Sequence, residues 1–202
     1  MTETNALGAN NTGEVYVQKP ESTGYALPLL MDLKVIDDDG NDLSTNESGE
    51  VCIKSASTFK GYWKNQVATD QALTSDGWVK TGDIGYLDDQ GFLYINDRKK
   101  DLVIRGGENI SAKEVEDLLH HHPSVKEAAV VSSPHPRLGE AVYAFLLINP
   151  GFTPPSLTDI KDFSESMKIA KQKIPEAIEI LADFPRTPSG KVRKDELRKK
   201  LR

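Results

Sequence analysis

Residues 80–107, KTGDIGYLDDQGFLYINDRKKDLVIRGG, constrain this chain more than any other stretch, because the hydrophobic periodicity differs on its two sides. Before them, short segments alternate apolar and polar residues and are separated by turn chemistry, which predicts β-structure. After them, a helical period alternates with continuous apolar runs, which predicts helices packed on strands. The stretch itself is polar. It holds a carboxylate after Thr-Gly (Asp83), a cationic crossing point (Arg98, Lys99, Lys100, then Asp101) and a glycine pair, Gly106 and Gly107. Ligand pockets concentrate at domain junctions, so a site is expected here. The expected class is α+β: a small all-β subdomain of distorted-barrel type over residues 1–97, then a small α+β domain over 98–202.

Particular signals carry this division. Leu33, Val35 and Ile36 run into Asp37-Asp38-Asp39-Gly40-Asn41, where Asp-Gly favours a hairpin turn. A calcium loop is excluded there, because counting back from Gly40 puts Val35 at the first ligand position. Val51 and Ile53 share a strand face, which leaves Cys52 an ordinary strand residue. Further on, Ser111 and Glu114 form a capping box, and Val115, Leu118, Leu119 and His122 line one helical face up to Pro123. Runs 128–131 and 141–148 read as buried strands, residues 157–167 as a helix presenting Leu157, Ile160, Phe163 and Met167, and 177–181 as a third strand. Segments 102–104 and 108–110 read as a hairpin around Gly106 and Gly107, which tolerate positive φ.

Composition removes several function classes. A net charge of −6 argues against a general nucleic-acid binder. One cysteine excludes an intrachain disulfide and agrees with a reducing compartment. The first nine residues lack the basic start and apolar run of a signal peptide, and the longest apolar run is too short to span a bilayer. A soluble, cytoplasmic chain is expected. His120, His121 and His122 are consecutive on a helix, point about 100° apart, and cannot jointly hold a metal. Lys191, in Pro-Ser-Gly-Lys, is not a phosphate-loop lysine, since Pro185 and Val192 stand where that loop needs Gly and Ser or Thr. It reads either as the start of a basic terminal helix (with Arg193, Lys194, Arg198, Lys199, Lys200 and Arg202) or as an ammonium presented by a mobile loop.

MTETNALG at the start, GEVCIKSASTFKGYW at 49–63, the 80–107 stretch and PRTPSGKVRKDEL at 185–197 together resemble the AMP-forming acyl-CoA synthetases. These belong to the adenylate-forming superfamily, and the resemblance is to its C-terminal portion. It implies the following roles. Thr2 and Glu3 contact ATP, Glu3 through Mg²⁺. Asp83 accepts the ribose hydroxyls, and Arg98 touches the same ribose. Asp101 is the hinge of a rotating lid domain. Gly106 and Gly107 line the path of the pantetheine arm of coenzyme A. Lys191 stabilises charge on the α-phosphate during adenylation. Where the family more often has Gly before the arginine, this chain has Asp97.

The same resemblance implies an acid–thiol ligase of small-molecule carboxylic acids, fatty acids foremost, with ATP, Mg²⁺ and coenzyme A as cofactors. The family's phosphate-binding loop and acyl pocket lie upstream of the matched residues. The chain is therefore expected not to activate an acid unaided, and to need an N-terminal domain chain as partner if it is part of a split enzyme. A non-catalytic nucleotide- or pantetheine-binding module is the alternative.

Overall fold

A computed structural model describes residues 1–6 and 8–201; Leu7, inside the first motif, and Arg202, expected in the terminal helix, lie outside it. The chain forms two compact units, Met1–Lys100 and Asp101–Arg202.

The first unit is an open sheet. Its strands are β1 (Gly24–Tyr25), β2 (Met31–Ile36), β3 (Gly49–Ser55), β4 (Val79–Leu87) and β5 (Phe92–Arg98), in the order β1-β5-β4-β3-β2 and antiparallel throughout. The expected barrel does not close, because β1 and β2 are the two edges and no described pairing joins them. Val35, Val51 and Leu93 form the core with Leu33, Leu87 and Ile95 around them. Cys52 is fully buried between Val51 and Ile53, so β3 is covered on both faces. Burial and the nearby Glu50 carboxylate push the Cys52 thiol up to about 11, which leaves it protonated and inert. The Asp-Gly turn forms, with Gly40 at φ 90° and the Asp37 amide donating to Asn41 O at 3.0 Å. Pairing of β2 with β3 nevertheless begins only at Ile36 and Glu50, so the turn sits inside a longer connection.

Two short helices interrupt the expected all-β stretch: α1 (Gly13–Gln18), which buries no residue, and α2 (Gln66–Ala72), capped by Asn65 Oδ1 accepting from the Ala68 amide at 3.1 Å. Both are too short to carry an apolar period, the main signal by which a helix is read from sequence.

In the second unit β6 (Val103–Arg105) and β7 (Glu108–Ile110) form the expected hairpin, followed by α3 (Ala112–His120), β8 (Val125–His135), β9 (Gly139–Ile148), α4 (Leu157–Ser166), β10 (Ala177–Ile180) and α5 (Lys194–Lys199). β8 pairs with β9 along its whole length. β6 and β10 share the other edge of β9, β6 antiparallel at Gly139 and β10 parallel at Tyr143–Leu146. The continuous apolar runs follow from coverage of both faces. One parity (Val130, Val142, Ala144, Leu146) packs with Val115 and Leu119 of α3 and Ile160 of α4. The other (Ala129, Val131, Phe145, Leu147) packs with Phe184 and with Leu197 of α5.

Ser111 caps α3 by accepting from the Glu114 amide at 3.1 Å. The three histidines at its end make separate contacts: His120 with the Ala128 amide, His121 with Asp117 O, and His122 with Ser124 and, edge-on, Phe163. Among the described residues no helix is long and apolar enough to cross a membrane.

Candidate functional site

The first unit builds its part of the site on the turn between residues 81 and 83. Thr81 Oγ1 donates to Val51 O at 2.9 Å and accepts from the Asp83 amide at 3.0 Å, which pins the turn to β3. Gly82, at φ 70°, donates its amide to Glu50 Oε1 at 3.2 Å. Asp83 and Arg98 are register partners across β4 and β5, and Arg98 Nε lies 2.8 Å from Asp83 Oδ1. A register shift between Ile84 and Gly85 adjusts this pairing. Gly85 is required beside it, since a Cβ there would stand 2.2 Å from Tyr94 O. Thr81, Gly82, Arg98, Lys99 and Lys100 line an open depression of about 370 Å³. Lys99 is paired with Asp38 (2.8 Å) and Glu50 (3.1 Å), whose hydrogen bonds raise its pKa.

The N-terminal residues are stitched to residues 55–62 rather than left as a free end. Glu3 O accepts from the Phe59 amide at 2.8 Å, and Ser57 Oγ donates to Thr4 O at 2.9 Å. Glu3 Oε1 accepts from the Tyr62 hydroxyl at 2.8 Å. A backbone hydrogen bond and then this hydroxyl hold the Glu3 carboxyl below its ordinary range, with weaker help from the N-terminal ammonium and Arg98. Thr2 is exposed in the same turn.

The second unit carries the other candidates. Asp101 is buried, and Arg198 Nη2 of α5 lies 2.6 Å from its Oδ1. Gly106 and Gly107 make the two-residue turn between Arg105 and Glu108, with φ of 60° and 89°. Three contacts hold this hairpin: the Gly106 amide to Leu138 O (2.8 Å), Arg105 Nε to Glu176 Oε1 (2.7 Å), and the Ile104 amide to Glu140 Oε2 (2.7 Å). Lys191 precedes α5 and is exposed on a closed turn. The Thr187 amide donates to Lys191 O at 2.8 Å, and the Lys191 amide donates to Thr187 Oγ1 at 3.1 Å. The loop read as mobile from its Pro, Ser and Gly content is thus hydrogen-bonded across its base. Among the described residues no ion pair engages the Lys191 ammonium.

Two family models match: the AMP-binding enzyme model over residues 1–63 and the AMP-binding enzyme C-terminal domain model over residues 114–191. The chain belongs to the AMP-binding enzyme family. It corresponds to the C-terminal portion of the adenylate-forming acyl-CoA and aryl-CoA ligases. It is 36% identical over 200 residues to the medium-chain fatty-acid–CoA ligase of Escherichia coli K12, covering 99% of this chain and 35% of that protein. It is 41% identical over 178 residues to the fatty acid–[acyl-carrier-protein] ligase ScoC of Streptomyces coeruleorubidus, covering 88% of this chain and 34% of that one. Among solved structures it resembles the o-succinylbenzoate CoA synthetase of Bacillus subtilis in complex with the acyl-adenylate intermediate, with a TM-score of 0.87 and 36% identity over 98% of this chain and 39% of that one. The chain spans little more than a third of the length of these relatives.

Of the candidates from sequence, Asp83 and Arg98 are in direct contact, and Glu3 lies in the same unit. Asp101, Gly106, Gly107 and Lys191 belong to the second unit. Sequence reasoning missed the groups that hold them: Tyr62 on Glu3, Arg198 on Asp101, Glu176 and Glu140 at the glycine hairpin, and Thr187 and Arg186 at the lysine turn. Tyr62, Thr187 and Arg186 lie inside motifs that the family resemblance had already marked.

Proposed function

We propose that the chain is the C-terminal part of an AMP-forming acyl-CoA synthetase of the cytoplasm that activates a carboxylic acid, a fatty acid foremost, and transfers it to coenzyme A. A carboxylate oxygen of the acid attacks the α-phosphorus of ATP, the bond to pyrophosphate breaks, and acyl-adenylate forms. A thiolate then attacks the acyl carbonyl and expels AMP. The observation that carries the reading is Lys191: an exposed ammonium on a closed turn, with no ion pair among the described residues, inside the stretch matched by the family's C-terminal domain model. Such a group can stabilise negative charge developing at a phosphate without first breaking an ion pair.

The other roles divide by unit. Asp83 accepts the ribose hydroxyls, with Arg98 as its partner at the nucleotide. Asp101 serves as hinge, with residues 98–202 as the moving lid, and the turn at Gly106 and Gly107 lines the thiol path. Glu3 is a single carboxylate kept ionised by its hydrogen bonds, and the described residues include no cluster of three metal-ligating side chains. That donor set suits a Mg²⁺ ion held mainly by nucleotide phosphates, where it would neutralise phosphate charge. Relatives that act with coenzyme A and with an acyl-carrier protein both match, and coenzyme A is the acceptor proposed here.

ATP- and CoA-dependent AMP release, measured with medium-chain, long-chain and aromatic acids beside a Lys191→Ala variant, both joined to the relatives' upstream portion, tests the reading. Release lost in the variant supports it, and release at equal rates from both chains overturns the role of Lys191. The chain alone, without the upstream portion of its relatives, should still bind AMP through Asp83, and Asp83→Ala should weaken that binding.

A further inference from the structure

Arg186 stands five residues before Lys191, on the opposite limb of the same turn, and its side chain makes four contacts. Nη2 lies 2.6 Å from Glu127 Oε2 on β8, and Nε lies 3.6 Å from Asp183 Oδ1. The guanidinium carbon is 5.8 Å from the centre of the buried Phe184 ring. Nη1 donates to the carbonyl oxygen of Gly190 at 3.1 Å. That carbonyl belongs to the peptide that enters Lys191.

We propose that Arg186 is a positioning residue for Lys191, fixing the Gly190–Lys191 peptide and hence the direction in which the lysine side chain leaves the turn. The proposal rests on Lys191 being the adenylation lysine. The remaining contacts of the turn leave the carbonyl of this peptide to Arg186, while its amide, that of Lys191, donates to Thr187 Oγ1 at 3.1 Å. Thr187 O takes the Gly190 amide (2.8 Å), Lys191 O takes the Thr187 amide, and Arg186 bridges to Val192 across the base. None of these holds the Gly190 carbonyl. Gly190 has φ 85° and no side chain, so beyond the bond of the Lys191 amide to the Thr187 hydroxyl the orientation of its peptide plane rests on what binds the carbonyl. A planar guanidinium fulfils two tasks at once: Glu127 and Phe184 set its plane, and a second nitrogen of the same fork meets the carbonyl. An ammonium is a point donor and does not couple the two. As an ion pair alone, a third exposed on both sides, Arg186–Glu127 adds little to stability.

The test separates positioning from ion pairing in the full ¹⁵N-labelled chain without any nucleotide, so its outcome is independent of whether Lys191 serves adenylation. Three variants are compared: Arg186→Lys, Glu127→Gln, and the charge swap Arg186→Glu with Glu127→Arg. Each is followed by its melting temperature and by ¹⁵N heteronuclear NOE and amide exchange at residues 187–191. Positioning predicts near-native melting for Arg186→Lys and for the swap. It also predicts faster exchange at Gly190 and Lys191, by about fivefold to tenfold for loss of one hydrogen bond, because neither variant presents the fork to Gly190 O. A swap that restores both melting and loop order would show that Arg186 is only an ion-pair partner. Native loop order in Arg186→Lys would overturn the proposal as well, and this arm stands even if the swap fails to fold. Glu127→Gln retains an acceptor for the guanidinium and should fall between wild type and Arg186→Lys.

Discussion

Arg198 Nη2 sits 2.6 Å from Asp101 Oδ1, and both side chains are mostly buried, at 20% and 11% exposure. The contact ties the first residue of the second unit to the last helix, so the two ends of that unit are joined by one charge-assisted bond. Removing one partner leaves the other charge partly desolvated, which costs more than the pair itself is worth. Arg198→Ala should therefore destabilise the second unit by about 2 kcal/mol, discounted from the cost of a fully buried pair for the remaining exposure. Asp101→Asn, which keeps an acceptor, should cost less. In urea melts the double variant should lose less than the sum of the two singles.

Asp83 and Arg98 form a different sort of pair. Their exposures are 28% and 54%, and the strand register already brings them together. Breaking it should change stability by no more than about 0.5 kcal/mol. The proposed ribose role predicts a much larger effect on ligand: Asp83→Ala should weaken AMP binding at least tenfold, roughly the value of one charge-assisted hydrogen bond. Calorimetric titration of the wild type and the variant, with melting curves for both, measures the two quantities separately. Equal affinity in both would remove Asp83 from the site.

The contrast between these pairs separates what the sequence discloses from what only the fold does. Asp83 stood out because a carboxylate after Thr-Gly is unusual in a strand and sits in a motif, whereas Arg198 was one cation in a run. Such a run does not reveal which members are paired. In the structure Arg198 and Lys194 meet Asp101 and Glu116, while Lys191 stands exposed ahead of the helix. Residues 128–131 and 141–148 were legible as buried strands, since continuous apolar runs mean two covered faces. Their pairing with each other was not legible, because register depends on a turn at residues 135–139 with no strong hairpin signature. Nor was the shape of the first sheet: short alternating strands predict β-structure equally for an open sheet and a barrel, and closure depends on edge pairing that periodicity does not encode.

The Glu3–Tyr62 bond gives a pH prediction. The folded pKa of Glu3 is depressed below its ordinary 4.5 by a backbone hydrogen bond and by the Tyr62 hydroxyl. A depressed carboxylate contributes stability that is fully present above the unfolded value and is lost as pH falls through the folded one. The attachment of residues 1–6 to residues 55–62 should therefore loosen only below about pH 4.5. Tyr62→Phe should move the Glu3 titration, followed by carboxyl ¹³C shifts, back toward its ordinary value. An unmoved titration would assign the depression to the backbone contact alone.

Gly106 and Gly107 offer the sharpest separation of backbone strain from function. Both hold positive φ, at 60° and 89°, so an alanine at either is strained by about 1 kcal/mol. Their surroundings differ: a Cβ on Gly106 would stand 3.4 Å from Leu138 Cδ2, while one on Gly107 meets nothing within 4 Å. Gly107→Ala should therefore cost only the strain, with Gly106→Ala costing slightly more as Leu138 gives way. If this turn lines the thiol path, the methyl group of Gly107→Ala projects into space that the pantetheine arm needs. Thioester formation from preformed acyl-adenylate should then slow at least tenfold while adenylate formation stays near wild type, measured in the complete enzyme with the relatives' upstream portion present. Equal slowing of the two half-reactions would point to a general loss of folded protein, which the melting curve of the same variant would show.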